Sequence, residues 1–283
     1  MTFSPTTTTN TNPNPNLNLT NTPTTTTTTT TNLNPTPKPS RLPRITPILP
    51  GLYLGNLPAL QTPTLLHEHN ITAIVSLTTS PWVQDPTLLL EIGIPSSHHK
   101  CLPVLDSLVQ DLLRHMSEIC EFIDEMACPE LRACTTLPNT NKDVDEKAVV
   151  TGPAEPETNV SGEWGVLVHC DFGRSRSATI IIAYLMRKFK ISVDEALGFV
   201  LARQKVKPNK SFLGQLGVWG EVGYEVWVGE NDDDDDGNMY AFEDSDGEWE
   251  RGKGNGKGKK VPKKAYGEYL LDRSERLWEM GFM

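Results

Sequence analysis

Residues 168–179 read VHCDFGRSRSAT, and the interpretation of the whole chain turns on them. They join two apolar runs of different character, GVLVHC at 165–170 and SATIIIAYLM at 177–186. The first is short and apolar throughout, the pattern of a strand covered on both faces. The second is apolar nearly all round, which predicts a buried helix. A sharp loop between such a strand and such a helix sets its amides at a helix N-terminus, where N–H groups and the helix dipole favour an anion. Cys170 would sit in that field, which stabilises a thiolate. Gly173 grants the torsions that let a loop curl round an oxyanion. Arg176, with five residues between it and Cys170, brings a planar guanidinium able to hold two phosphate oxygens at once. Ser177 adds a hydroxyl at the helix start, and His169 is placed to orient the loop through hydrogen bonds. Together these residues suggest nucleophilic displacement at phosphorus through a cysteinyl-phosphate. The departing oxygen needs a proton, so a general acid has to come from another part of the chain.

Working outward, strands alternate with helices over 41–228, which predicts an α/β domain. RITPILPGLYLGN gives two short extended pieces around Pro50-Gly51, and ITAIVSLT is a β-branched run typical of a buried strand. KCLPVLD reads as a further strand ending at Asp106. DLLRHMSEICEFIDEM gathers Leu112, Leu113, Met116, Ile119, Cys120 and Ile123 on one helical face, with Asp111 as its N-cap. SVDEALGFVLARQ opens with Ser192 as a cap and Asp194 and Glu195 in its first turn. NKSFLGQLGVWGEVGYEVW is a last helical segment, weakened by its glycines.

Three stretches fall outside this alternation. Residues 1–40 are almost entirely Thr, Asn and Pro and are expected to be a disordered tail. Residues 129–163 lose all periodicity and read as a disordered surface insertion. Residues 229–283 carry an acidic block and then a basic one, and are expected to form a charged, mostly disordered tail. Within that tail, YGEYLLDRSERLWEMGF has enough aromatic residues for a docking helix. The formal charge of −10 argues against nonspecific nucleic-acid binding. No apolar run approaches the ~20 residues needed to span a bilayer. Five cysteines without a paired CxxC spacing argue against structural zinc and fit a reducing, cytoplasmic or nuclear setting.

VHCDFGRSRSATIIIAYLM resembles the His-Cys-x5-Arg-Ser signature of the dual-specificity group of cysteine-based phosphatases. ILPGLYLGNLPAL, ITAIVSL, LPVLDSLVQDLLRHMSEICEFID and SVDEALGFVLARQKVKPNKSFLGQL are similar to that family's remaining segments, in the same order. The resemblance implies a phosphotyrosine-phosphatase-like α/β fold, with a central mostly parallel sheet flanked by helices. It implies Cys170 as nucleophile, Arg176 as phosphate clamp and Ser177 as the hydroxyl that assists breakdown of the phospho-enzyme. It implies a phosphate-binding loop of Asp171, Phe172, Gly173, Arg174, Ser175 and Arg176, with His169 and Asn209 in support. Asp106 in PVLDS matches the general acid; Asp111 and Asp85 are the alternatives, Asp111 fitting a cap better and Asp85 lying in a weaker context.

No metal and no organic cofactor is implied, and the expected partners are phosphorylated protein substrates carrying phosphotyrosine or phosphoserine/threonine. A phosphoinositide, another phospholipid or an RNA 5′-phosphate is the alternative substrate, and a silent phospho-binding module the alternative class. Asp171 and Phe172 depart from the small or neutral residues common at their positions. A carboxylate facing the pocket would disfavour polyanions.

Overall fold

The computed structural model describes residues 42–84, 86–138, 164–228 and 261–282. Five strands form one sheet: β1 (Ile45–Leu49), β2 (Leu52–Asn56), β3 (Ile71–Leu77), β4 (His99–Leu102) and β5 (Gly165–Cys170), in the order β1-β2-β5-β3-β4. Only β1 runs antiparallel, paired to β2 through the Pro50-Gly51 turn; β2, β5, β3 and β4 are mutually parallel. The mostly parallel sheet implied by the sequence is therefore present. In the middle of the sheet, β5 is buried at all six residues, as its unbroken apolar pattern requires.

Nine α-helices are found among the described residues: α1 (Leu57–Leu60), α2 (Pro63–Glu68), α3 (Pro86–Ile92), α4 (Met116–Glu125), α5 (Pro129–Ala133), α6 (Arg176–Phe189), α7 (Val193–Leu201), α8 (Lys210–Glu221) and α9 (Lys264–Glu279). The first eleven residues of α6 are buried, so this helix is the axis of the larger core, with Leu112, Ile119, Phe199, Phe212 and Trp219 in the same cluster. A smaller cluster built on Leu66, Ile74, Val83, Leu88 and Leu167 fills the other face of the sheet. Helix α7 opens on a full capping box: Ser192 Oγ accepts the Glu195 amide, and the Glu195 carboxylate accepts the Ser192 amide at 2.9 Å.

Three sequence expectations need correction. The strand expected to end at Asp106 stops at Leu102, because Pro103 has no N–H to continue the ladder. The disordered insertion expected over 129–163 begins as ordered chain: Cys128 Sγ caps α5 by accepting the Leu131 amide at 3.3 Å, and Leu131 is fully buried. The tail at 229–283 is not mostly featureless where it is described, since 264–279 is the helix α9 and its Tyr266 and Leu270 belong to the main core. The expected tail at 1–40 and the insertion residues 139–163 lie outside the described residues.

Candidate active site

The parallel register between β3 and β5 pairs Leu77 with Cys170, so both strands end side by side and their next residues face each other. Cys170 is buried at the last position of β5, and α6 starts at Arg176. The intervening loop turns on Gly173, whose φ is +65°. A Cβ there would stand 2.5 Å from the Gly55 carbonyl oxygen, so the loop can lie against β2 only with glycine at this place. Gln204 donates to the Gly173 carbonyl, the Lys207 amide donates to the Arg174 carbonyl at 2.8 Å, and Arg44 donates to the Phe172 carbonyl at 3.1 Å. With its carbonyls tied outward to these three donors, the loop is held in its curl around the sulfur.

Arg176 is only 4% exposed. Its Nη1 donates to the Val104 carbonyl at 2.9 Å, and its Nη2 donates to Asp171 Oδ2 at 2.7 Å. Its buried Nε has no hydrogen-bond partner among the described residues, which leaves a donor for an anion. Ser177 Oγ donates to Cys170 Sγ at 3.1 Å.

Asp106 lies in the exposed loop after β4 and is joined to the loop 171–176 through a small polar network. Its Oδ1 accepts from Ser175 Oγ at 2.8 Å and from Asn209 Nδ2 at 2.8 Å, while Ser175 Oγ accepts the Asn209 amide at 3.2 Å. Asn209 also caps α8, its Oδ1 accepting the Phe212 amide at 2.9 Å. One residue thus opens a helix and fixes a carboxylate. Of the two alternative acids, Asp111 is buried and occupied elsewhere, accepting the Arg114 amide at 3.2 Å and the Tyr266 hydroxyl at 2.8 Å. Asp85 lies outside the described residues.

Asp171 turns into the site. Its Oδ1 accepts from Thr78, the residue that follows β3. Burial alone would raise its carboxyl pKa, but the hydrogen bonds from Thr78 and Arg176 and the guanidinium charge hold it below the ordinary carboxylate range. Phe172, by contrast, is 46% exposed on the outer side of the loop.

Behind Cys170, Ser76 Oγ lies 2.7 Å from His169 Nε2 and 2.8 Å from His99 Nε2. One hydroxyl is hydrogen-bonded to both rings. Burial, followed by the neighbouring His99, brings the His169 pKa down to about 3, so the ring beside Cys170 is neutral. Ser76, Thr78, His99, Arg44 and Gln204 were not identified as site residues from the sequence. Among the described residues, no group of three His, Cys, Asp or Glu side chains is placed to hold a metal ion.

The model of the dual specificity phosphatase catalytic domain matches residues 160–222. The chain is 30% identical over 181 residues to the Saccharomyces cerevisiae tyrosine-protein phosphatase YVH1, covering 63% of this chain and 44% of the yeast protein. It therefore spans less than half the length of that relative. It is 30% identical over 175 residues to the Danio rerio dual specificity protein phosphatase 22-B, covering 61% of this chain and 72% of that protein. Among solved structures, the Yvh1 phosphatase domain from Chaetomium thermophilum matches 65% of this chain and 97% of its own, at 27% identity and a TM-score of 0.44.

Proposed function

The chain belongs to the dual specificity phosphatase family, and from that premise we propose that it hydrolyses phosphotyrosine and phosphoserine/threonine in proteins through a cysteinyl-phosphate. The observation that carries this reading is the union of Cys170, Arg176 and Asp106 around one loop, with Ser175 hydrogen-bonded to the acid and Ser177 to the nucleophile.

In the first half-reaction the Cys170 sulfur attacks phosphorus, the P–O bond to the substrate breaks, and the departing oxygen takes a proton from Asp106. Both hydrogen bonds to Asp106 end on Oδ1, which leaves Oδ2 to carry that proton. Loop amides and the free Arg176 Nε stabilise the equatorial oxygens. In the second half-reaction Asp106, now a carboxylate, takes a proton from water as the water oxygen attacks phosphorus and the P–S bond breaks. Ser177 Oγ donates to the departing thiolate.

A polyanionic phosphoinositide, another phospholipid or an RNA 5′ end fits less well, because the Asp171 carboxylate shares Arg176 with the incoming phosphate. A silent phospho-binding role would need neither an acid tied to the loop nor a hydroxyl aimed at the sulfur. All five cysteines are free, in keeping with a reducing cytoplasmic or nuclear setting. No described helix is long and apolar enough to cross a membrane.

The test is hydrolysis of 4-nitrophenyl phosphate and of phosphotyrosine and phosphothreonine peptides by the full chain and by Cys170→Ser. Turnover by the wild type and none by the variant is expected. Turnover that survives the substitution would overturn the mechanism, and preference for a phosphoinositide over every phosphopeptide would overturn the substrate class.

A further inference from the structure

Helix α9 lies beyond the residues matched by the family's domain, yet it touches the loop that presents Asp106. After α8 the chain returns through a short bridge, in which the Val228 amide donates to the Val261 carbonyl at 2.8 Å and the Lys263 amide to the Val226 carbonyl at 2.9 Å. Tyr266, Tyr269, Leu270 and Arg273 then recur at helical spacing along one face. The Tyr266 ring is 1% exposed and packs edge-on against Trp227, with centroids 5.4 Å apart.

Two polar side chains of that face end on the acid loop. The Tyr266 hydroxyl donates to Asp111 Oδ2 at 2.8 Å, and Arg273 Nε donates to the Val109 carbonyl at 2.6 Å. From α8, Gln215 accepts the Leu112 and Leu113 amides at 2.8 and 2.9 Å and donates to the Gln110 carbonyl at 2.8 Å. Gln110 closes the path, its Oε1 accepting the Leu105 amide, next to Asp106, at 3.0 Å. A groove of about 590 Å³ opens between α8, α9 and Leu108, so the loop is not sealed there by apolar packing. Between Val104 and Leu112, which are buried in the core, its position rests on these hydrogen bonds together with those from Ser175 and Asn209 to Asp106.

We infer that α9 is a brace for the general-acid loop, with Arg273 and Tyr266 as positioning residues that hold Asp106 over the phosphate loop. This rests on the reading of Asp106 as the acid. The consequence is selective in kcat/KM, which reports formation of the phospho-enzyme and not its hydrolysis: an alkoxide leaving group needs the proton, whereas 4-nitrophenolate departs with little help.

The experiment compares full-length wild type with Arg273→Ala and Tyr266→Phe, the latter removing one hydroxyl from an otherwise unchanged ring. The kcat/KM for a phosphoserine peptide should fall on the order of tenfold, short of the 10²–10⁴ that complete loss of a general acid costs. The kcat/KM for 4-nitrophenyl phosphate should stay within about twofold, and adding Arg273→Ala to Asp106→Asn should cost nothing further. Hydrogen–deuterium exchange should quicken at amides 105–112 and stay unchanged in β5 and α6. Equal losses on both substrates, no loss on either, or unaltered exchange at 105–112 would overturn the inference. A wild type that cleaves neither substrate would defeat the proposed function, and the exchange rates would still decide whether α9 holds the loop.

Discussion

The pairing of Asp171 with Arg176 sets this site apart from a bare phosphate cradle, and Asp171→Asn isolates its effect. The guanidinium is nearly buried while the carboxylate side chain is 35% exposed, so part of the pair's attraction is screened. A phosphate dianion held by Arg176 would sit about 5 Å from that carboxylate, where each pair of unit charges repels by about 0.8 kcal/mol even at the dielectric constant of water. A dianion doubles this to about 1.7 kcal/mol, which corresponds to roughly fifteenfold in affinity. Asparagine removes the charge and keeps one acceptor oxygen for Arg176, while its amide can donate to the Thr78 hydroxyl. The expected result is a Ki for inorganic phosphate or vanadate that falls about fifteenfold at low salt, with the difference shrinking as ionic strength rises. Because hydrogen bonds from Thr78 and Arg176 keep the Asp171 carboxyl below the usual range, the difference should persist at pH values where ordinary carboxylates begin to protonate. A Ki that is unchanged or larger in the variant would refute the argument. It would mean that Asp171 serves to orient the guanidinium and does not compete with the phosphate.

Three further outcomes follow from the same geometry. Gly173→Ala forces a Cβ to within 2.5 Å of the Gly55 carbonyl at a positive φ, so a loss of about 2–3 kcal/mol in thermal or urea unfolding is expected together with collapse of turnover; a variant as stable as wild type would show that the loop is not pinned to β2. Asn209→Ala removes the α8 cap, at about 1 kcal/mol, and one of the two donors to Asp106, so the phosphoserine peptide should suffer more than 4-nitrophenyl phosphate; equal losses would reduce Asn209 to a cap. Stability should also fall with acid. His169 titrates at about 3 when folded against 6.5 when unfolded, so below pH 6.5 the unfolded chain binds the extra proton and about 1.4 kcal/mol is lost per pH unit, or about 2 kcal/mol by pH 5. Burial lowers the His99 pKa as well and adds loss of the same sign. His169→Gln should flatten that slope in urea titrations between pH 7 and 5, and an unchanged slope would assign it to other groups.

How much of this was legible in the sequence depended on the distance over which each contact forms. The strand, the loop, the buried helix and the Ser192 cap are local patterns, and the structure repeats them at their expected places. Asp106 is 64 residues from Cys170, and its assignment came from the resemblance of PVLDS; the hydrogen bond to Ser175 that gives it a place was invisible from the sequence alone. Thr78 and Ser76 were missed for a sharper reason. They read as ordinary β-branched or small strand residues, and they become site residues only through a register that sets Ser76 beside His169 and lets Thr78 follow Leu77 to face Asp171. Once β3 and β5 are taken as parallel neighbours ending together, that register is almost forced, so strand order was the missing datum, more than any motif. The C-terminal segment failed differently. Averaged over 229–283, charge hides an amphipathic face, although the aromatic content of YGEYLLDRSERLWEMGF was noticed within it. Neither a docking surface nor a solvated tail describes where that face goes: it packs on its own domain, and its polar members reach the loop of the acid. A residue's charge told less about its role than the partner it meets, as Asp111 shows. Weighed from the sequence as either the cap of the following helix or a rival acid, it is not the N-cap of α4, which begins at Met116 with His115 in that place; it accepts the Arg114 amide ahead of that helix and, through Tyr266, anchors the loop of Asp106.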